Sequence, residues 1–293
     1  MARIIALCNQ KGGTGKTTTA INLSIAVAMT GKKVLLIDID PQANSTSGIG
    51  VDKNKVTLST YDILMEEAPL DEVLMSNVEG KISLLPSNAH LAGAEIELVS
   101  VLGREHRLKK ALESKKSEFD FIFIDCPPSL GLLTINALAV ADSIIIPVQC
   151  EYYALEGLTQ LLHTISLIQN NLNHNLKIEG VLLTMADYRT NLTQEVISEV
   201  RAHFKEKAYQ AVIPRNIRLS ESPSFGKSIF LYDKDSIGAK KYLELASEIL
   251  GVHTTQPIVD DMVMTNEPEQ NVQINRPQDN LLTPQQPEKE GIT

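Results

Sequence analysis

Arg3-Ile4-Ile5-Ala6-Leu7-Cys8 runs directly into Asn9-Gln10-Lys11-Gly12-Gly13-Thr14-Gly15-Lys16-Thr17-Thr18, and a helix-length stretch, Lys16–Met29, follows. An apolar strand, a glycine-rich turn and a helix in that order form a phosphate-binding arrangement. Gly12, Gly13 and Gly15 free the backbone to wrap an anion, and the amides at the helix N-terminus point at it. In such a loop Lys16 would sit on the β/γ-phosphates of a nucleotide and the Thr17 hydroxyl would coordinate Mg²⁺. The ordinary spacing wants glycine six residues before the lysine; Gln10 stands there instead, with Lys11 beside it. A dinucleotide fingerprint begun at Gly13 fails, because Thr18 occupies its third glycine position. A glycine-rich turn that binds nothing is the other reading of the loop.

Outward from this unit, strands are expected at Arg3–Cys8, Lys33–Ile37, Ile82–Leu85, Phe119–Asp125, Ser143–Val148, Ile178–Met185 and Ala208–Ile213. Helices are expected at Lys16–Met29, Leu91–Ser114, Leu132–Val140, Leu155–Asn170, Thr193–Phe204 and Ile237–Leu250. This alternation is the pattern of parallel strands joined by crossover helices. Nearly continuous apolar strands imply burial on both faces. Right-handed crossovers then give an α/β fold, a doubly wound, mostly parallel sheet with helices on both faces in a three-layer sandwich. With 293 residues in all, one domain over 1–250 plus a tail is the economical division. After Leu250, prolines at 257, 268, 277, 284 and 287 interrupt a run rich in Gln, Asn and Glu. Such a run buries too little apolar surface to offset the entropy of ordering it, so 251–293 reads as a disordered tail.

The net charge of −9 excludes a protein coated in basic surface, but the charge is unevenly spread. Residues 251–293 hold seven acids and two bases, whereas 189–241 hold ten Lys/Arg and six Asp/Glu. Cys8, Cys126 and Cys150 form no CxxC pair, which points to reduced, buried, structural thiols rather than a disulfide framework or zinc knuckle. The N-terminus has no long apolar segment before its glycines and no run of 18 apolar residues occurs, so a soluble, cytoplasmic protein is expected.

Two acidic strand ends complete the site expected from the residues. Lys33–Ile37 ends in Asp38-Ile39-Asp40-Pro41-Gln42, at the carboxyl end of a strand where open α/β sheets bind ligands, and alternation puts Asp38 and Asp40 on one face. A merely polar strand end is the alternative there. Phe119–Asp125 is an apolar strand closing on a carboxylate, a Walker B pattern in which Asp125 would hold Mg²⁺ through water. Pro127, Pro128 and Ser129 stop it before the next helix.

Lys11-Gly12-Gly13-Thr14-Gly15-Lys16-Thr17-Thr18 resembles the deviant Walker A motif of the ParA/MinD superfamily of P-loop NTPases. Four further stretches resemble the Soj subgroup of the ParA chromosome- and plasmid-partition ATPases: Leu91–Leu98, Pro147–Leu158, Tyr188–Leu192 and Arg215–Ser224. The resemblance spans roughly residues 2–250. It implies an ATP-hydrolysing, Mg²⁺-dependent enzyme in which Lys11 reaches the phosphates of the partner subunit's ATP across a sandwich dimer. Asp40 would position or polarise the attacking water, Asp38 would support the metal shell, and Pro214 and Asn216 would frame the adenine. Arg189 and Arg218 would contact the phosphates of non-specific double-stranded DNA. The implied cycle has ATP driving dimerisation, the dimer binding the nucleoid, and a ParB-like centromere-binding protein stimulating hydrolysis and release.

The same fold class holds other functions, each with a demand on the sequence. A MinD-like membrane-site ATPase should end in a basic amphipathic helix, whereas this tail is acidic and broken by prolines. A nitrogenase-type iron protein needs paired cluster thiolates, a context that Cys126 and Cys150 lack. An ATP-dependent metabolic ligase of the dethiobiotin-synthetase type shares the loop but gives no reason for the Soj-like stretches.

Overall fold

The protein is described by a computed structural model covering residues 2–151 and 156–252. The tail expected over 251–293 lies outside the described residues from position 253 onward, as do residues 152–155 of the Soj-like stretch.

The eight strands are β1 (Arg3–Leu7), β2 (Val34–Asp38), β3 (Met75–Val78), β4 (Ile82–Leu85), β5 (Phe121–Asp125), β6 (Ser143–Gln149), β7 (Lys177–Ala186) and β8 (Ala208–Pro214). They form one sheet in the order β3-β4-β2-β5-β1-β6-β7-β8, and every pair is parallel except β3 with β4. The helices among the described residues are α1 (Lys16–Ala28), α2 (Asn44–Gly48), α3 (Thr60–Met65), α4 (Leu70–Val73), α5 (Leu91–Glu97), α6 (Arg107–Leu112), α7 (Leu132–Val140), α8 (Glu156–Asn171), α9 (Asn191–Phe204), α10 (Ile217–Glu221), α11 (Ile229–Tyr232) and α12 (Ile237–Leu250).

Strand alternation divides the core into two layers. Ile4, Ala6, Leu35, Ile37, Ile122, Ile124, Ile144 and Ile146 face α3, α5, α6, α7, α8 and α9, while Ile5, Leu7, Leu36, Phe123 and Ile145 face α1 and α12. Each such Leu or Ile, fully removed from water, contributes about 1.5–3 kcal/mol of burial free energy. Seven strands run the same way, so the chain leaves them all along one edge of the sheet. The glycine-rich loop and the acidic strand ends therefore share that edge.

Two expectations need correction. Leu91–Ser114 is not one helix. The chain turns at Gly103 in the left-handed region (φ 69°), and Asn136 of α7 stabilises the break, its amide donating to the Arg104 carbonyl while its Oδ1 accepts from Leu108 N. The antiparallel edge strand β3 escaped notice because its sequence, Met-Ser-Asn-Val, is half exposed and has Asn77 at φ 60°, which disrupts the alternation that betrays a strand.

Candidate nucleotide-binding and hydrolysis site

The glycine-rich loop is held from below and open above. Asn9 closes its base, donating from Nδ2 to the Pro147 carbonyl at 2.7 Å and accepting from Lys11 N at 3.0 Å. On β7, Thr184 Oγ1 donates to the Thr14 carbonyl at 2.9 Å. Gly15 precedes α1 at φ 85°, with no side-chain cap and no acid in the first helical turn, so the helix N-terminus is left for an anion. Lys16 is buried, its Nζ donating to the Lys11 carbonyl at 3.2 Å. Burial lowers its pKa, and the neighbouring Asp125 works against that shift.

Across the loop lie the acids. Asp38, Asp40 and Asp125 are all buried, and strand pairing sets Asp38 directly opposite Asp125. Both Asp38 oxygens are engaged within the protein. Oδ2 accepts from Thr46 N at 2.8 Å and Thr46 Oγ1 at 2.7 Å, and Oδ1 accepts from Asp40 N at 3.2 Å. Asp125 differs, because Oδ2 accepts from Ser45 Oγ at 2.8 Å while Oδ1 is buried with no hydrogen-bond partner. Burial raises the Asp125 pKa, and Ser45 and then Thr17 oppose the rise. An orphaned carboxylate oxygen beside the Thr17 hydroxyl is an oxygen-donor set suited to a hard cation such as Mg²⁺. Asp38, with no oxygen to spare, fits a supporting position.

The network around these acids was missed in the sequence. Thr46 Oγ1 accepts from Ser87 N, and Ser87 Oγ donates to the Asp40 carbonyl at 2.7 Å. Ser45 and Thr46 open the short helix α2, entered through Ala43 in the left-handed region at φ 52°. A non-glycine residue held there marks a segment whose geometry its surroundings over-determine. The available signal was Ser45-Thr46 only five residues past Asp40.

Burial, and then the charge of Asp125, push the Asp38 carboxyl up, so Asp38 and Asp125 both lie above the usual carboxylate range. Between about pH 4, where unfolded aspartates have titrated, and neutrality, the folded protein therefore keeps protons that the unfolded chain has released. The contribution of these two carboxyls to stability therefore falls as pH rises through that window, by about 1.4 kcal/mol per pH unit for each proton retained, against the opposite trend of carboxylates such as Asp187 whose pKa is lowered. In thermal melts in chelator from pH 5 to 8, the wild type should lose stability relative to Asp38→Asn. Equal slopes for the two proteins would refute the assignment.

Beside the loop a cavity of about 460 Å³ is lined by Gly15, Thr18, Thr184, Pro214, Asn216 and Tyr242, among others. It joins Pro214 and Asn216 to the glycine-rich loop. Asn216 also caps α10, its Oδ1 accepting from Leu219 N at 3.1 Å.

Gly12 is exposed, and Gly13, also exposed, sits at φ 74°; a Cβ on either would meet nothing within 4 Å. Lys11 is exposed too, its Nζ on Glu151 Oε2 of the same chain at 2.9 Å. Arg189 and Arg218 follow the ends of β7 and β8 on the same edge of the sheet. Arg189 grips Asp187 with two hydrogen bonds, at 2.8 and 2.6 Å, and Arg218 pairs with Glu221 at 3.1 Å and Asp233 at 3.4 Å.

A family model described as an AAA domain matches residues 2–178. The sporulation initiation inhibitor protein Soj of Bacillus subtilis (strain 168) is 58% identical over 249 residues, covering 85% of this chain and 98% of that protein. The chromosome partitioning protein ParA of Myxococcus xanthus (strain DK1622) is 51% identical over 250 residues, covering 85% of this chain and 88% of that one. Among solved structures, cobyrinic acid a,c-diamide synthase from Mycobacterium smegmatis, with bound ADP and magnesium, superposes with a TM-score of 0.76 at 38% identity, covering 85% of this chain and 94% of that chain. Identity is higher to these two proteins than to the synthase. With its deviant loop, acidic strand ends and eight-stranded sheet, the chain belongs to the ParA/Soj family of chromosome-partitioning ATPases.

Proposed function

We propose that this chain binds Mg²⁺-ATP at the loop, closes on a second copy across the nucleotide, and in that state holds DNA without sequence preference until hydrolysis releases it. What carries this reading is the orphaned Asp125 oxygen beside Thr17, with Lys16 and Asp40 converging on the same loop and the Pro214–Asn216 cavity adjoining it. The synthase structure that this fold resembles holds ADP and magnesium, which supports a nucleotide and Mg²⁺ as the ligands. The amides of Gly12, Gly13, Thr14 and Gly15, with Thr17 and Thr18 beyond Lys16, would cradle the phosphates. Thr17 and Asp125 would hold the metal, Asp125 through water, with Asp38 behind them. When bound, Mg²⁺ supplies charge neutralisation at the β/γ oxygens. Lys16 stabilises the charge that spreads there during transfer, and Asp40 orients the attacking water. Lys11, exposed on the loop, is free to exchange Glu151 for the partner subunit's nucleotide, which makes the dimer a condition for fast hydrolysis.

Arg189 and Arg218 support the DNA reading through what holds them. Exposed ion pairs are worth only about 0–1 kcal/mol, so phosphates can displace the acids now on these arginines. One subunit offers few such groups and a dimer offers twice as many, which explains how an acidic protein could bind DNA only with ATP. A ParB-like partner that accelerates hydrolysis, and association with the nucleoid, complete the cycle.

The test is binding to random-sequence duplex DNA with no nucleotide, ADP or ATP over a salt series, for wild type and Arg189→Glu. Tight, salt-sensitive binding should require ATP. The substitution should weaken it at least tenfold and reduce the log–log salt slope by about 1.8, two phosphate contacts per dimer. Binding that ignores nucleotide would leave the ATPase site intact and overturn the DNA reading.

A further inference from the structure

The segment that carries Arg218 is attached to the nucleotide site at three points. Asn216, at its start, lines the cavity beside the loop. Ile229 N, at its end, donates to Oδ1 of the buried Asn22 at 2.8 Å, and Asn22 Nδ2 donates to the Thr18 carbonyl at 2.8 Å, tying the segment to the first turns of α1. Between them lies a backbone-to-backbone contact. A Cβ built on Gly226 would stand 2.8 Å from Gly50 Cα, and one built on Gly50 would stand 2.8 Å from the Gly226 carbonyl oxygen. Both glycines have left-handed backbones, at φ 61° and 93°.

Gly50 lies two residues beyond α2, the helix whose Ser45 holds Asp125 and whose Thr46 holds Asp38. Gly226 closes the turn that follows α10, the helix of Arg218. One five-residue helix thus has the acids at its start and the arginine segment against its end. Two backbones in contact have no side chain between them to absorb a displacement, so movement of α2 must be passed on.

We propose that the Gly50–Gly226 contact is the joint through which the state of the carboxylate site sets the position of segment 215–229, making DNA affinity depend on nucleotide. This deepens the DNA-binding reading above and rests on it. Coupling between two sites commonly transmits about a 5- to 150-fold change in affinity, so breaking the joint should remove on the order of tenfold from the ratio of DNA affinities with ATP and with ADP.

Gly226→Asn tests it, because asparagine tolerates the left-handed region and only the intruding side chain is new. Gly251→Asn is the control, a left-handed glycine (φ 67°) with nothing within 4 Å. With nucleotide occupancy matched to wild type in both, the ATP/ADP ratio of DNA affinities should collapse by the tenfold factor in Gly226→Asn alone. An unchanged ratio in Gly226→Asn, with wild type responding to ATP, would overturn the joint and leave the DNA reading standing. A parallel loss of turnover, DNA binding and melting temperature would make the contact structural and also overturn it. Wild-type binding indifferent to nucleotide would take down both. Should the variant fail to fold, hydrogen exchange on the wild type decides: amides near Gly50 and in 222–227 should change protection together when ATP replaces ADP, and no change in 222–227 refutes the joint.

Discussion

Lys11→Ala should lower ATP turnover by about 10³-fold or more, the scale on which a cationic finger supplied in trans acts in phosphoryl transfer. The fold should survive, since the side chain is exposed and its only partner among the described residues is the exposed carboxylate of Glu151. Truncating one member of such a pair changes stability little. Nucleotide binding to the single subunit should stay within a few-fold, because Lys16, the loop amides and Thr17 belong to the same chain. The loss should therefore appear in the maximal rate and in ATP-dependent dimerisation, read by light scattering. Turnover within tenfold of wild type would refute the role of Lys11 and, with it, the dependence of hydrolysis on a second subunit.

Asp40→Ala should cut hydrolysis by about 10²–10⁴-fold, the usual contribution of a group that orients or activates a nucleophile. Its local contacts make the substitution readable. The Asp40 carbonyl accepts from Ser87 Oγ and Ala43 N, and alanine preserves both; only the Oδ1 bond to Gln42 N at 2.9 Å is lost. The ATP-bound dimer should then persist on DNA, giving a slower off-rate after dilution into competitor. Asp40→Asn separates charge from scaffolding, because its side-chain oxygen can still accept from Gln42 N. Recovery of hydrolysis in Asp40→Asn would show that holding the 40–43 turn, rather than the carboxylate, is what matters. Normal turnover in Asp40→Ala would move the water-positioning role to another residue.

What the sequence by itself determined is local. Gly12, Gly13 and Gly15 ahead of Lys16 and Thr17 specify a turn and a helix start within ten residues, since positive φ and an uncapped N-terminus are properties of the chain there. Continuous apolar runs ending in Asp38 and Asp125 specify buried parallel strands with acids at their carboxyl ends, because burial on both faces removes any alternation. The sheet and its principal crossover helices were legible on those grounds. The antiparallel edge at Met75–Val78 and the break at Gly103 were not, because one is a short, half-exposed strand with Asn77 in the left-handed region and the other depends on Asn136 from α7. Only the tertiary structure decided which acid has an oxygen to spare. Asp38 and Asp125 look alike in sequence, but Thr46, with Asp40 N, saturates the first, while Ser45 satisfies one oxygen of the second. It also decided that Lys11 rests on Glu151, 140 residues away, and that Gly50 meets Gly226. A single residue type carries no record of its distant partners; strand order and crossovers bring those partners together, and they exist only once the whole sheet has formed.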